Sequence, residues 1–165
     1  WGLRPDNSNP AKNIDRYKEE KRERFLTSVE VARLWSVLNS EAATFKVSQS
    51  AIAAIKLLML TGRRLNEVLK LKWEWVDFEA KVLRLPDTKS GALLVSLGDP
   101  AVLVLSELKA AGLDETFVIA GQRKNAPLVN LQKPWRLIRS MAGLNQLEIS
   151  PVRPFTLIRR LLVSA

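Results

Sequence analysis

LLMLTGRRLNEVLKLKWEWVDF, residues 57–78, carries the pattern on which the reading of this chain turns. An apolar run ends at Thr61 and Gly62, two arginines follow, and a second amphipathic run begins at once. Glycine takes the left-handed backbone that closes a helix without steric cost, so Gly62 is expected to end one helix and turn the chain. Leu65, Val68 and Leu69 then recur at spacings of three and four, which predicts a second helix with a buried side. Arg64 falls at the first turn of that helix. A helix N-terminus already carries partial positive charge and does not favour a cation, so helix formation gives no reason for an arginine there. Its planar fork suits a phosphate, and Glu67, three residues on and on the same face, is placed to brace it. The plain alternative is that Arg63 and Arg64 are two solvated charges at a helix start.

Composition sets the bounds. A chain of 165 residues suits one domain with its own core, since domains commonly run ~100–200 residues. No apolar run approaches the ~18 residues that span a bilayer, and no signal peptide is legible. The first residue is Trp1 rather than Met, from which a piece of a longer polypeptide is expected. The sequence holds no cysteine, which excludes disulfides and thiolate metal sites. It holds no histidine, the commonest metal ligand and general base. The expectation is a cytoplasmic protein with no metal, no small-molecule cofactor and no membrane association. A net charge of +9 and a pI near 10.2 call for a polyanionic partner, double-stranded DNA first. From Gly121 onward eight cations face the single anion Glu148, so +7 of the +9 lies in the last 45 residues. Arg123, Lys124, Lys133, Arg136, Arg139 and Arg160, with Arg63 upstream, are the candidate DNA contacts.

Working outward, residues 27–38 predict a helix: Thr27 and Glu30 make a capping box, Leu26 and Val31 a hydrophobic staple, and Val31, Leu34, Trp35 and Leu38 a core stripe. A second helix over 48–60 is apolar nearly all round and is expected to be the central buried one. Downstream, 81–86 and 92–97 read as two strands joined by Asp87, Thr88, Lys89, Ser90 and Gly91, a β-hairpin with Lys89 at its tip. Asp99 is expected to cap the next helix, with Pro100 at its first position and Val102, Leu103, Leu105 and Leu108 buried. A short strand or extended piece over 116–119, an exposed loop over 121–127 and a helix over 130–142 follow. That last helix should turn Leu131, Trp135 and Ile138 inward and Lys133, Arg136 and Arg139 outward. Residues 1–24, with turn residues and then mixed charge, read as an extended connector.

The segment from Thr61 to Asp77 resembles the first arginine box of the tyrosine recombinases, the phage-integrase family, whose pattern is T-G-x-R-x-x-E-x-x-x-L-x-W-x-x-V/I-D. Thr61, Gly62, Arg64, Glu67, Leu71, Trp73, Val76 and Asp77 fall in register, eight matches over seventeen positions. The resemblance implies a mainly α fold with a small antiparallel β-sheet, the integrase catalytic core, with Arg64 on the scissile phosphate. It also implies a role for Lys89: the family's short sheet carries a T-K-S/T-G turn whose lysine reaches the cleavage site, and Thr88, Lys89, Ser90 and Gly91 match it. Residues 9–27 resemble the linker from an N-terminal core-binding domain, which divides the chain into a linker (1–24) and a catalytic-like domain (25–165).

A second family box, H/K-x-L-R-H/R-T-x-x-S, is met only in part by residues 156–164. Arg159 matches the arginine, Arg160 the next position and Ser164 the serine, whereas Thr156 and Leu161 depart from the pattern. Arg159 is thereby a candidate second phosphate-binding arginine. The family attacks a DNA phosphodiester with a tyrosine, needs no metal and works as an oligomer on DNA. Here the only tyrosine is Tyr17, upstream of the arginine box, and the nucleophile is expected beyond Ala165. The resemblance thus implies a DNA-cleaving and rejoining domain without its nucleophile, or else a non-catalytic DNA-binding or regulatory remnant of a mobile-element integrase. A basic protein-interaction domain is the reading from another class. The 165-residue polypeptide is expected to form no covalent adduct with a nicked suicide substrate on a denaturing gel. An adduct abolished by Tyr17→Phe would place the nucleophile upstream instead.

Overall fold

Thr27 starts the first helix by exchanging two bonds with Glu30: Thr27 Oγ1 accepts from the Glu30 amide at 3.3 Å, and Glu30 Oε2 accepts from the Thr27 amide at 2.8 Å. Those bonds let the Glu30 carboxylate lie buried. The computed structural model describes residues 26–88 and 91–144. The connector 1–24 with Tyr17, the hairpin turn with Lys89, and the partial second box with Arg159 and Arg160 lie outside them.

In chain order the elements are α1 (Ser28–Leu38), α2 (Glu41–Lys46), α3 (Gln49–Thr61), α4 (Leu65–Leu69), a 3-10 turn (Trp73–Trp75), β1 (Val76–Asp77), β2 (Val82–Thr88), β3 (Gly91–Ser96), α5 (Asp99–Ala111) and α6 (Gln132–Met141). The mainly α fold with a small antiparallel sheet is as the sequence predicts. The sheet has three strands in the order β1-β2-β3, with Val76 opposite Leu83 and Leu83 opposite Val95.

Helix α3 is the centre. Ile52, Ile55, Leu57, Leu58 and Met59 are all buried, and α3 packs on α5, α4, α1 and α6. Burying each such side chain is worth about 1.5–3 kcal/mol, so α3 fixes the frame against which the rest is oriented. Leu34 and Leu38 of α1, Val104, Leu105 and Leu108 of α5, and Trp135 and Ile138 of α6 complete that core.

Several details depart from the sequence reading. The cap of α5 is Gly98, not Asp99: the Asp99 carboxylate instead accepts from Lys81 Nζ at 2.7 Å, tying the start of the hairpin to the start of α5. Leu103 is 60% exposed, while Ala101 and Val104 take the buried positions, a one-residue rotation of the apolar stripe. Of the two readings of residues 116–119, the extended piece holds rather than a strand. Phe117 makes an isolated antiparallel bridge with Lys72. Helix α6 starts at Gln132, because Asn130 Oδ1 accepts the Gln132 amide at 2.8 Å and holds the chain in a turn until there. Helix α2 and strand β1 are additions.

Gly62 has φ 60 and ψ 21, the left-handed conformation expected of it, and its amide closes α3 on the Leu58 carbonyl at 3.1 Å. Gly62→Ala should therefore cost about 1–2 kcal/mol, the left-handed penalty of an L-residue. Urea denaturation checks this, and an unchanged midpoint would show that the corner does not need glycine.

Candidate functional site

The corner between α3 and α4 is built from its own backbone. Thr61 Oγ1 donates to the Leu57 carbonyl at 2.6 Å, so the helix end is capped by the residue next to the glycine. The chain reverses at Gly62, and Arg64 is extended, with ψ 147, as the cap residue of α4. Its carbonyl accepts the amides of Glu67 and Val68 at 3.0 and 3.2 Å. Val68 and Leu69 are buried and anchor this short helix, with Leu65 half-buried beside them. Arg64 thus stands one position before the first turn, at the rim rather than on a buried helix.

Glu67 braces it with both oxygens. Oε2 accepts the Arg64 amide at 3.1 Å and Oε1 accepts from Nη1 at 2.9 Å. The Arg64 side chain remains 54% exposed, whereas that of Glu67 is only 12% exposed. One of the fork's five donors is thereby engaged, and the fork is held by a nearly buried carboxylate while facing solvent. An exposed pair of this kind is worth at most about 1 kcal/mol, enough to bias the orientation of the fork. Arg63 turns inward: half-buried, its Nε donates to the Thr61 carbonyl at 3.4 Å.

Every other residue of the box has a structural task. Leu71 is buried. Its carbonyl accepts the Val118 amide at 2.9 Å, and the Trp73 amide donates to the Thr116 carbonyl at 3.1 Å, so the box is stitched to residues 116–118. Trp73 Nε1 donates to the Asp114 carbonyl at 3.0 Å, its ring stacks on Phe78, and Lys109 Nζ lies 4.6 Å above it. Val76 and Asp77 form β1. Asp77 accepts the Ala80 amide at 2.8 Å and Arg84 Nη2 at 2.7 Å. The Ala80 amide first, and Arg84 after it, hold the Asp77 carboxyl below its ordinary value.

The other cations divide by element. Arg123 and Lys124 are exposed on the loop after Gly121 and line, with Gly112 and Asp114, a cavity of about 310 Å³. Lys133 and Arg136 are exposed on α6, as expected. Arg139 is not: it is half-buried, with Nε enclosed, because its position lies closer to the face that α6 turns to α1 and α3. A second cavity, of about 390 Å³, opens between α3 and α5 over Ile52, Ala53, Val104 and Leu108, away from the arginine corner. No cluster of acidic side chains suited to a metal occurs among the described residues, and no helix there is long and apolar enough to cross a membrane.

Sequence reading passed over Asp114. Its Oδ1 accepts the amides of Thr116 and Phe117 at 2.9 and 2.8 Å, and its Oδ2 accepts the Asn125 amide at 2.7 Å, eleven residues away. The Phe117 amide does most to depress its carboxyl pKa; burial opposes it, and the Thr116 and Asn125 amides and the charge of Lys124 lower it further. The available signal was an aspartate two residues past a helix-closing glycine, a place where Asp commonly binds the backbone ahead of it.

The chain belongs to the phage integrase family, whose profile matches residues 24–160. No curated protein matches it. Among solved structures it is similar to XerA recombinase, with a TM-score of 0.59 and 18% identity over 83% of this chain and 48% of that one. It is similar also to the Tn1549 transposon integrase in complex with circular intermediate DNA, with a TM-score of 0.56 and 17% identity over 92% of this chain and 56% of that one. The chain thus spans about half the length of these structures, and the likeness establishes the fold as the integrase catalytic core.

Asp114→Ala leaves three amide donors without their carboxylate acceptor and should cost about 2 kcal/mol at neutral pH. A carboxyl with a depressed folded pKa stabilises above its unfolded pKa and loses that contribution as pH falls through the folded value. The gap in melting temperature between wild type and Asp114→Ala should therefore be full at pH 6 and narrow below the ordinary value of 3.8. A gap independent of pH would show that the carboxylate charge is not what holds the loop.

Proposed function

We propose that this chain supplies the catalytic domain of a site-specific tyrosine recombinase or integrase, binding duplex DNA and presenting Arg64 to the scissile phosphate. The carrying observation is the Arg64 fork, more than half exposed yet held at 2.9 Å by a nearly buried Glu67 at a corner fixed by Gly62. A fork oriented in advance loses little freedom on meeting a phosphate, and it stabilises charge that develops on the non-bridging oxygens.

In the proposed reaction a tyrosine hydroxyl attacks the phosphodiester. The bond from phosphorus to the 5′-oxygen breaks, a 3′-phosphotyrosine forms, and the leaving oxygen takes a proton. Lys89 is assigned as the donor of that proton and Arg159 as the second arginine on the phosphate. Nothing in this chemistry requires a metal. Neither Tyr17 nor any described residue is assigned as the nucleophile. Residues 1–24 serve as the tether from a DNA-clamping domain and 25–165 as the catalytic-like domain. Arg123, Lys124, Lys133 and Arg136 supply contacts to the duplex backbone, and assembly of several copies on DNA completes the reading.

Binding tests it directly. Each phosphate neutralised releases counterions, so log affinity should fall against log salt by ~0.9 per contact, with a Kd of ~10⁻⁴–10⁻⁶ M for non-specific duplex at physiological salt. Arg64→Ala should lower that slope by about one contact, whereas Arg64→Lys should keep the slope. Fluorescence anisotropy between ~50 and ~200 mM salt measures both. Binding that is flat across this range would favour a protein partner over DNA.

A further inference from the structure

The exposed pair Arg123 and Lys124 sits on a loop that is clamped from two sides. At its base the Gly121 amide donates to the Ala126 carbonyl at 2.8 Å and the Leu128 amide to the Ile119 carbonyl at 3.0 Å. The two segments of this base lie so close that a Cβ on Gly121 would fall 2.5 Å from the Pro127 carbonyl oxygen. From the other side, Asp114 Oδ2 takes the Asn125 amide at 2.7 Å, directly after the two cations, where Asn125 is left-handed with φ 55. Asparagine tolerates that conformation better than most residues. The main chain of the same Asp114 receives Trp73 of the arginine box at 3.0 Å. One residue therefore joins the segment that follows Arg64 to the loop that bears the second cationic pair.

We propose that Asp114 is a positioning residue for DNA binding, its Oδ2 holding the 121–127 loop so that Arg123 and Lys124 meet the phosphate backbone as a preformed pair. The inference rests on the DNA-binding reading above. A carboxylate facing Lys124 lowers the local positive potential, so by charge alone Asp114 works against binding phosphate. Its value lies in order. A loop with two long side chains loses backbone and rotamer freedom when it grips a polyanion, and ordering it in advance removes part of that cost.

These opposed effects make Asp114→Asn decisive. The amide keeps one carbonyl oxygen for the Thr116 and Phe117 amides and turns an NH2 toward the Asn125 amide, so the local turn survives while the tie to the loop is lost. The change also adds one unit of positive charge. If only charge matters, Asp114→Asn binds DNA more tightly. If the tie positions the loop, it binds more weakly.

The experiment is anisotropy of a labelled duplex at several salt concentrations with wild type, Asp114→Asn, the Arg123→Ala/Lys124→Ala double variant and the triple combination. Expected is a roughly 5-fold weaker affinity for Asp114→Asn, the scale of one lost backbone contact, and a salt slope reduced by ~0.9. The triple variant should bind no more weakly than the double, because once the two cations are gone the tie has nothing left to position and only the added positive charge remains. Amide exchange at Asn125 should be slow in wild type and fast in Asp114→Asn. Wild-type or tighter binding by Asp114→Asn, or a loss that adds in full to that of the double variant, would overturn the positioning role. Salt-dependent binding by the wild type would then leave the proposed function standing, whereas its absence would remove both. Should Asp114→Asn melt far below wild type, Gly121→Ala distorts the same loop from its base, and its slope must fall likewise or the inference fails.

Discussion

Everything at the arginine corner depends on how α3 is buried. Its five large apolar side chains are each worth about 1.5–3 kcal/mol, against at most about 1 kcal/mol for the exposed ion pair between Arg64 and Glu67. The position of Arg64 in space is therefore decided by α3 and by the left-handed turn at Gly62, and Glu67 only orients the fork. This division suits a binding group. The backbone is held by burial, which an arriving anion does not disturb, while the guanidinium stays at the surface.

A second constraint holds the remainder of the box. Residues 71–73 bond to 116–118, and Trp73 reaches the Asp114 carbonyl, so a segment distant in sequence forms the wall against which the box lies. The sheet is tied in separately. The Leu97 amide returns to the Lys81 carbonyl at 2.8 Å, and Lys81 Nζ reaches Asp99. Lys81 accepts a left-handed φ of 51 at that junction, a modest local strain offset by two partners. Asp77 joins β1 to β2 through Arg84. The box is thus a packing motif: of its eight matched residues only Arg64 holds a charged group more than half exposed from a braced position.

Local chemistry made much of this legible. The Thr27 and Glu30 capping box, the glycine closure at Gly62 and the paired strands are interactions close in sequence, so the sequence displays both partners together. Helix α2 escaped because only Ala43 is buried on it and Phe45 is 91% exposed, which leaves no apolar stripe to read. Its one local mark was Ser40, whose Oγ accepts the Ala43 amide. Asp99 looked like a cap because Asp before Pro so often is. Lys81, eighteen residues away, claimed its carboxylate instead.

The sequence alone determined the order of the main helices, the corner at Gly62, the hairpin and the identity of Arg64 as the residue to watch, since each follows from spacing, turn chemistry and charge along a few adjacent positions. Tertiary structure decided which arginines face solvent. Arg63 and Arg139 carry the same charge as Arg64 and Arg136, yet the first is half-buried with its Nε on the Thr61 carbonyl and the second is half-buried toward the face that α6 turns to α1 and α3. It also decided that Asp114 is a hub, because an aspartate's partners are set by which amides the fold brings within 3 Å, and the Asn125 amide arrives there only once the 121–127 loop has closed on itself.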